Sequence, residues 1–273
     1  MPNFPTLLQI ASRFEAAGVD LATSAPVIIT GGATANALNG TYTQIIASTA
    51  FDATGIVVNI HRDGGADIDG LLNIAIGAAS SEVVILESLG WYRQSAEGTS
   101  TYYFPIRIKS GSRISANARA TTGGSNPKCQ VILLQGSFFG SGAFNGVTTY
   151  GHNTADSGGT SIDPGATAHT EGAWFEIIAS STNPIRQLSA YVGPQQVARV
   201  AADFLLDIGI GTTELVLSDL YFRTEVTVDY LNPHVIGPLP FSVPTATRLA
   251  ARARSSTTSA TARLFDIILY GIY

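Results

Sequence analysis

Between positions 113 and 120 the chain reads RISANARA, and between 248 and 254 it reads RLAARAR. Both stretches alternate. Arg113, Ser115, Asn117 and Arg119 face one way, and Ile114, Ala116, Ala118 and Ala120 face the other. Likewise Arg248, Arg252 and Arg254 stand opposite Leu249, Ala251 and Ala253. A period of two with one polar side predicts antiparallel strands laid over a core. Elsewhere short apolar runs rich in Ile, Val and Tyr recur between turn residues, which extends the β pattern along the chain. The predicted strands cover 42–47, 56–61, 71–77, 83–89, 102–108, 113–120 and 129–135. A second series covers 174–179, 187–192, 203–210, 214–220, 225–230, 240–243, 248–254 and 263–270.

The two series are copies. GATANALNGTYTQIIAS (32–48) is repeated as GATAHTEGAWFEIIAS (165–180), LLNIAIG (71–77) as FLLDIGIG (204–211), and EVVILESLGWYR (82–93) as ELVLSDLYFR (214–223). PIRIKSGSRISANARA (105–120) is repeated as PFSVPTATRLAARARS (240–255), and VILLQG (131–136) as DIILYG (266–271). The blocks keep their order, so the chain is a tandem duplication of a domain-sized unit. The period is far longer than the roughly 20 to 50 residues of solenoids and propeller blades. Seven or eight short strands per unit predict an all-β fold of two tandem antiparallel β-sandwiches of jelly-roll type. The expected boundaries are an N-terminal arm at 1–31, a first repeat at 32–137, a Gly/Ser/Thr-rich linker at 138–164 and a second repeat at 165–273.

The arm reads differently. Leu7, Leu8, Ile10, Ala11, Phe14 and Ala17 fall on one helical face, and Gly18 can end such a helix. It has no evident counterpart before the second repeat. The segment predicts a helical or extended docking arm, with Leu7, Leu8, Ile10 and Phe14 as its contact residues.

Composition narrows the function. Of 273 residues, 45% are hydrophobic and only 13% charged, the profile of a folded chain rather than a disordered one. No apolar run approaches the roughly 20 residues of a spanning helix, so membrane insertion is not expected. A net charge of −5 gives no basic footprint for nucleic acid. The lone Cys129 allows no internal disulfide, and the N-terminus lacks the pattern of a secretion signal. Assembly in a cytoplasm is the expectation.

Candidate chemistry is sparse. No nucleophile elbow, P-loop or paired-histidine zinc motif is present, so neither an enzyme nor a cofactor is expected. His61, His152, His169 and His234 show no metal-ligand spacing. RDGGADIDG (62–70) gathers Asp63, Asp67 and Asp69. That density suits either an Asp-Gly turn between strands or, less well, calcium, and it marks a candidate specificity loop. Glu82 and Glu214 occupy matching positions at strand starts. Five of the chain's 15 basic residues (Arg113, Arg119, Arg248, Arg252 and Arg254) lie on two equivalent strands. They predict a solvated or intersubunit face, or alternatively a contact for an anionic partner. The tryptophans have aromatic counterparts, Trp174 with Tyr42 and Trp91 with Tyr221, a pattern expected of packing.

The G-[aromatic]-x-x-I-I-A-S opening, the DIGIG strand and the block ending in TRLAAR resemble a module that recurs in virion-associated proteins of tailed bacteriophages. The resemblance spans most of the chain, although the first repeat departs with NIAIG and SGSRISANAR. It implies a β-sandwich structural component of a virion, assembled in the host cytoplasm as a trimer or other homo-oligomer. The expected place is the tail, baseplate, collar or fibre apparatus, in contact with other virion proteins. Two alternatives stand beside it: a capsid decoration protein, and a tail-fibre module that binds a host surface glycan.

Overall fold

The structure is a computed structural model that describes residues 12–20, 25–61, 68–93, 99–136, 143–194, 201–212, 215–224, 234–260 and 263–273. Among these residues there are strands and no helix. The first half carries β1 (Arg13–Ala17), β2 (Val19–Asp20), β3 (Ala25–Ile28), β4 (Thr43–Ile46), β5 (Gly55–His61), β6 (Ile68–Ile76), β7 (Val83–Arg93), β8 (Ser100–Phe104), β9 (Ile114–Ala120) and β10 (Lys128–Gln135). The second half carries β11 (Val147–Tyr150), β12 (Thr160–Ile162), β13 (Phe175–Ile178), β14 (Ile185–Pro194), β15 (Ala202–Ile210), β16 (Leu215–Thr224), β17 (His234–Val243), β18 (Leu249–Ser255) and β19 (Phe265–Ile272).

Each half is a sandwich in which strands alternate between two sheets. In the first, β2-β3-β10-β5-β8, with β1 also on β10, faces β4-β9-β6-β7. In the second, β11-β19-β14-β17, with β12 also on β19, faces β13-β18-β15-β16. These strand orders are those of the jelly roll. The alternating apolar residues fill the space between the sheets. Ile56, Val58, Ile60, Ile114, Ala116, Ala118, Val131 and Leu133 are buried in the first core, and Leu188, Ala190, Phe204, Leu206, Leu249, Ala251 and Leu269 in the second.

The N-terminal segment takes the extended one of the two forms expected for it, and the linker differs from expectation. Residues 13–17 are not helical. They form β1 and pair with 131–135 of β10. A short isolated helix is marginal in water, whereas the free edge of β10 offers a partner for each backbone group. Leu7, Leu8 and Ile10 lie outside the described residues. The stretch expected as linker likewise contains β11 and β12, both paired with β19. The arm therefore does have a counterpart. β1 and β3 flank β10 as β11 and β12 flank β19, and each first strand ends in a glycine at positive φ, Gly18 at +79° and Gly151 at +77°. A Cβ on Gly18 would meet the Cys129 carbonyl and Ile45, and one on Gly151 would crowd Ile177 and lie near the Ile267 carbonyl. Ile45 and Ile177 are equivalent residues of the IIAS motif. The duplicated unit thus begins near residue 13 in one copy and near 147 in the other.

The halves join asymmetrically. β7 and β8 are the edge strands on one side of the first sandwich, and the outer face of β11-β19-β14-β17 lies against both. Tyr191, Ile268, Tyr270 and Ile272 of that face belong to the first core rather than the second. The Tyr270 ring stands edge-on to Tyr102 and Phe104, with centroids 5.6 and 5.7 Å apart. Its hydroxyl accepts from Gly90 N–H at 3.1 Å and donates to the Ser88 carbonyl at 3.0 Å. Tyr102 Oη donates to the Gly90 carbonyl at 2.5 Å, and Thr149 Oγ1 to that of Glu87 at 2.6 Å. Burial holds the Tyr102 and Tyr270 phenols above their ordinary range, so they remain donors across physiological pH. Side chains of the second module thereby satisfy edge groups of β7 that would otherwise be open to stray pairing.

Two outcomes follow. Tyr270→Phe strands the Ser88 carbonyl and the Gly90 amide in a buried setting and should destabilise the protein by about 1–3 kcal/mol, read by urea denaturation. Cys129 is fully buried, which pushes its thiol up to about 12. Iodoacetamide at pH 8 should leave it unmodified in the native protein and alkylate it after unfolding, as mass spectrometry would show.

Candidate functional site

The outer faces of the two small sheets carry most of the polar residues singled out from sequence. On the first, Ser115 and Asn117 are buried rather than solvated: Ser115 lies beside the Arg113 guanidinium, and residues 36–39 run along β9 at Asn117. Asn36 N–H donates to the Ala120 carbonyl, Asn39 N–H to that of Ala118, and Asn117 Nδ2 to the Asn39 carbonyl at 2.8 Å. The second module repeats this crossing, with His169 N–H on the Ser255 carbonyl and Gly172 N–H on that of Ala253. Asn36 and His169 both sit at φ 60°.

The arginines are engaged within their own chain. Arg113 lies 2.9 Å from Glu82 and donates from Nε to Gln44 at 3.1 Å, while its equivalent Arg248 donates from Nε to Glu176 at 2.7 Å. Gln44 and Glu176 hold matching places on β4 and β13. Arg252 donates to Asp207 at 3.1 Å, lies 3.5 Å from Glu171 and covers the Trp174 ring at 4.6 Å. Arg254 approaches Glu171 at 3.3 Å. Arg119 reaches the other module, donating to the Thr154 carbonyl at 3.3 Å. This is the pattern of a structural face rather than of a bank of cations presented together. Trp174 is half-buried on that face, outside the core.

Register changes one equivalence. Gly70 pairs with Trp91 on β6 and β7, and Phe204 with Phe222 on β15 and β16. Trp91 therefore corresponds to Phe222, and both are buried. Tyr221, which sequence alone aligns with Trp91, stands at the position of Gly90 and is 61% exposed. The apparent match was a neighbour, because β7 bulges against β6 by one residue more than β16 does against β15.

Of the aspartate loop, Asp63 and Asp67 lie outside the described residues. Asp69 is in β6, not in a loop, and is 8% exposed beside Tyr191 and Gly158 of the second module. Glu214 also lies outside the described residues. Among the described residues no three His, Cys, Asp or Glu side chains converge as metal ligands.

Two open concave features stand out among the described residues. One, of about 520 Å³, runs along residues 149–153 and 159–161 and is floored by Ile177 and Ile178. The other, of about 440 Å³, lies on the outer face of β15, β16 and β18, between His169, Asp203, Leu205, Tyr221, Arg254 and Ser256. Tyr221 Oη donates to Asp203 Oδ1 at 2.8 Å, and Arg223 lies 3.9 Å from the same oxygen. Sequence reading missed this cleft because Tyr221 looked like a packing residue.

No family model matches the chain, and no curated protein matches it. Among solved structures, the N-terminal CBM22-1–CBM22-2 tandem domain of Paenibacillus barcinonensis Xyn10C is similar, at 9% identity over 85% of this chain and 86% of that one, with a TM-score of 0.23.

The Arg252–Asp207 pair offers a direct test of whether this face is structural. Asp207 is 3% exposed, and the equivalent first-module residues are a neutral amide pair, Asn117 and Asn73, joined at 3.1 Å. Arg252→Asn alone should cost about 1–3 kcal/mol by removing a charge-assisted hydrogen bond from a buried carboxylate. Adding Asp207→Asn should restore most of that loss in denaturant titrations.

Proposed function

We propose that this chain is a non-enzymatic structural component of a tailed-phage particle, working as a homo-oligomer in the tail, collar, baseplate or fibre apparatus. The observation that carries the reading is an apolar outer edge on the first module. Phe14 is 65% exposed, Ile28 54% and Val19 37%, on β1, β3 and β2. Val147, at the place equivalent to Phe14, packs against the first core. One copy of this edge strand is thus covered by a neighbouring sandwich, and the other presents its large side chain to solvent. Large apolar residues exposed along a sheet edge mark a surface for association.

The polar inventory supports the same reading. The arginine strands are spent on ion pairs inside the chain, and the buried tyrosines on the junction. Such a molecule is built to hold a shape. The virion placement follows the family resemblance of the repeated motifs.

Sedimentation velocity should show an oligomer for the native chain, and Phe14→Asp should shift it to monomer with an unchanged circular-dichroism spectrum. In the phage that encodes it, a reconstruction of the particle should place the chain at the tail in three or six copies, by the symmetry of such appendages. Many copies over the capsid would favour decoration, and absence from the particle would end the virion reading.

A further inference from the structure

The two modules carry the same outer surface on β6–β7–β9 and on β15–β16–β18, and use it differently. In the first module Asp69, Gly70 and Leu71 are covered by Tyr191, Asp266 and the segment containing Ser157 and Gly158. That segment is polar and rich in hydroxyl and backbone groups. Ser157 Oγ donates to Asn36 Oδ1 at 2.9 Å, and the Thr154 carbonyl accepts from Arg119 at 3.3 Å. In the second module the corresponding residues are Asp203, Phe204 and Leu205, with His169 in place of Asn36 and Arg254 in place of Arg119. There the surface is open as the cleft of about 440 Å³.

One exchange decides what this cleft can accept. A Cβ on Gly90 would stand 2.5 Å from the Tyr191 ring, so the first module seats its neighbour only because position 90 has no side chain. At that position the second module has Tyr221. A phenol ring now fills the space through which another sandwich would approach. What remains is an open, largely apolar groove with Asp203, His169 and Arg254 at its edges, beside an exposed aromatic ring whose hydroxyl is anchored on Asp203.

We infer that the Tyr221 cleft is a binding site for a pyranose sugar of a surface glycan. The C–H face of a pyranose ring stacks on an exposed phenol, which combines an apolar face with a polar rim. The sugar's hydroxyls each donate and accept. Asp203 accepts, and Arg254, held by Glu171 at 3.3 Å, lines the cleft with its guanidinium, with His169 and Ser256 on the rim. Arg254 and Arg223 are balanced by Asp203 and Glu171, which suits a neutral sugar rather than a polyanion. The volume lies within the usual range of about 300–1,000 Å³ for ligand sites. This is a function in addition to the structural role, and it does not depend on the chain's place in a particle.

The full-length protein should be probed on a printed array of bacterial surface polysaccharides and neutral pyranose oligosaccharides, with hits titrated by calorimetry. The expected result is binding to at least one pyranose ligand. Tyr221→Ala should weaken it about tenfold or more, and Tyr221→Trp should retain it. Arg254→Gln should also weaken it, with the thermal transition of each variant showing that the fold is kept. Absence of binding to every sugar at millimolar concentration overturns the inference. So does binding that Tyr221→Ala and Arg254→Gln leave unchanged, and so does a cross-link from Tyr221→Cys to a second copy of the chain in solution.

Discussion

The free edge of β7 is the constraint around which this molecule is arranged. A strand that ends a sheet leaves backbone groups without a ladder partner, and burying them unpaired costs far more than a surface contact returns. Here the deficit is met by a side chain from the other half of the protein. The Tyr270 hydroxyl takes both the Gly90 amide and the Ser88 carbonyl, and its ring closes the end of the first core against Tyr102 and Phe104. Because Tyr270 lies in β19, an inner strand of its sheet, that contact ties the second sandwich to the first. The first module is thus completed by the second, and the pair behaves as one body with two cores.

Divergence between the repeats follows the same economy of volume and charge. Gly70 and Trp91 in one core become Phe204 and Phe222 in the other, stacked at 4.8 Å. A Cβ on Gly70 would fall 2.2 Å from the Trp91 ring, so neither member of the first pair can change alone. Asn73 and Asn117 become Asp207 and Arg252. The second exchange conserves neutrality, as buried polar groups require, while the first trades one large ring over a glycine for two stacked rings that fill the space together.

Much of this was legible in sequence. Strict alternation at 113–120 and 248–254 identifies the inner strands, since Ile114 and Leu249 mark the core side without ambiguity. The repeated blocks reveal two like sandwiches. Three things were not legible. Residues 13–17 carry apolar positions that fit a helix or a strand equally, and only the presence of an open β10 edge decides. The strands β11 and β12 are three or four residues long and sit among glycines and threonines, where local pattern carries no signal. The identity of Tyr221 depended on register across β15 and β16, which a bulge between Asp207 and Gly209 shifts. The cleft was therefore hidden by a one-residue error in alignment, because a slip of one residue turns a side chain from the core to the outer face.

The same position bears on whether the junction between the two modules can recur between chains. A duplicated unit whose one face docks on the other's edge is heterologous, and such contacts repeat into open fibres unless something closes them. In this chain both sides of the next junction are altered. Tyr221 occupies the seat that Gly90 leaves empty, and on the first module's large sheet the places of Tyr191 and Tyr270 are taken by Asn59 and Ile132. Neither can supply the hydroxyl that serves the β7 edge, and Asn59 is instead bound to Gln130 and Thr101 across its own sheet. The internal junction therefore cannot propagate between chains by its own chemistry. The association proposed above is left to a different surface, and the exposed strands β1 to β3 are where large apolar side chains stand.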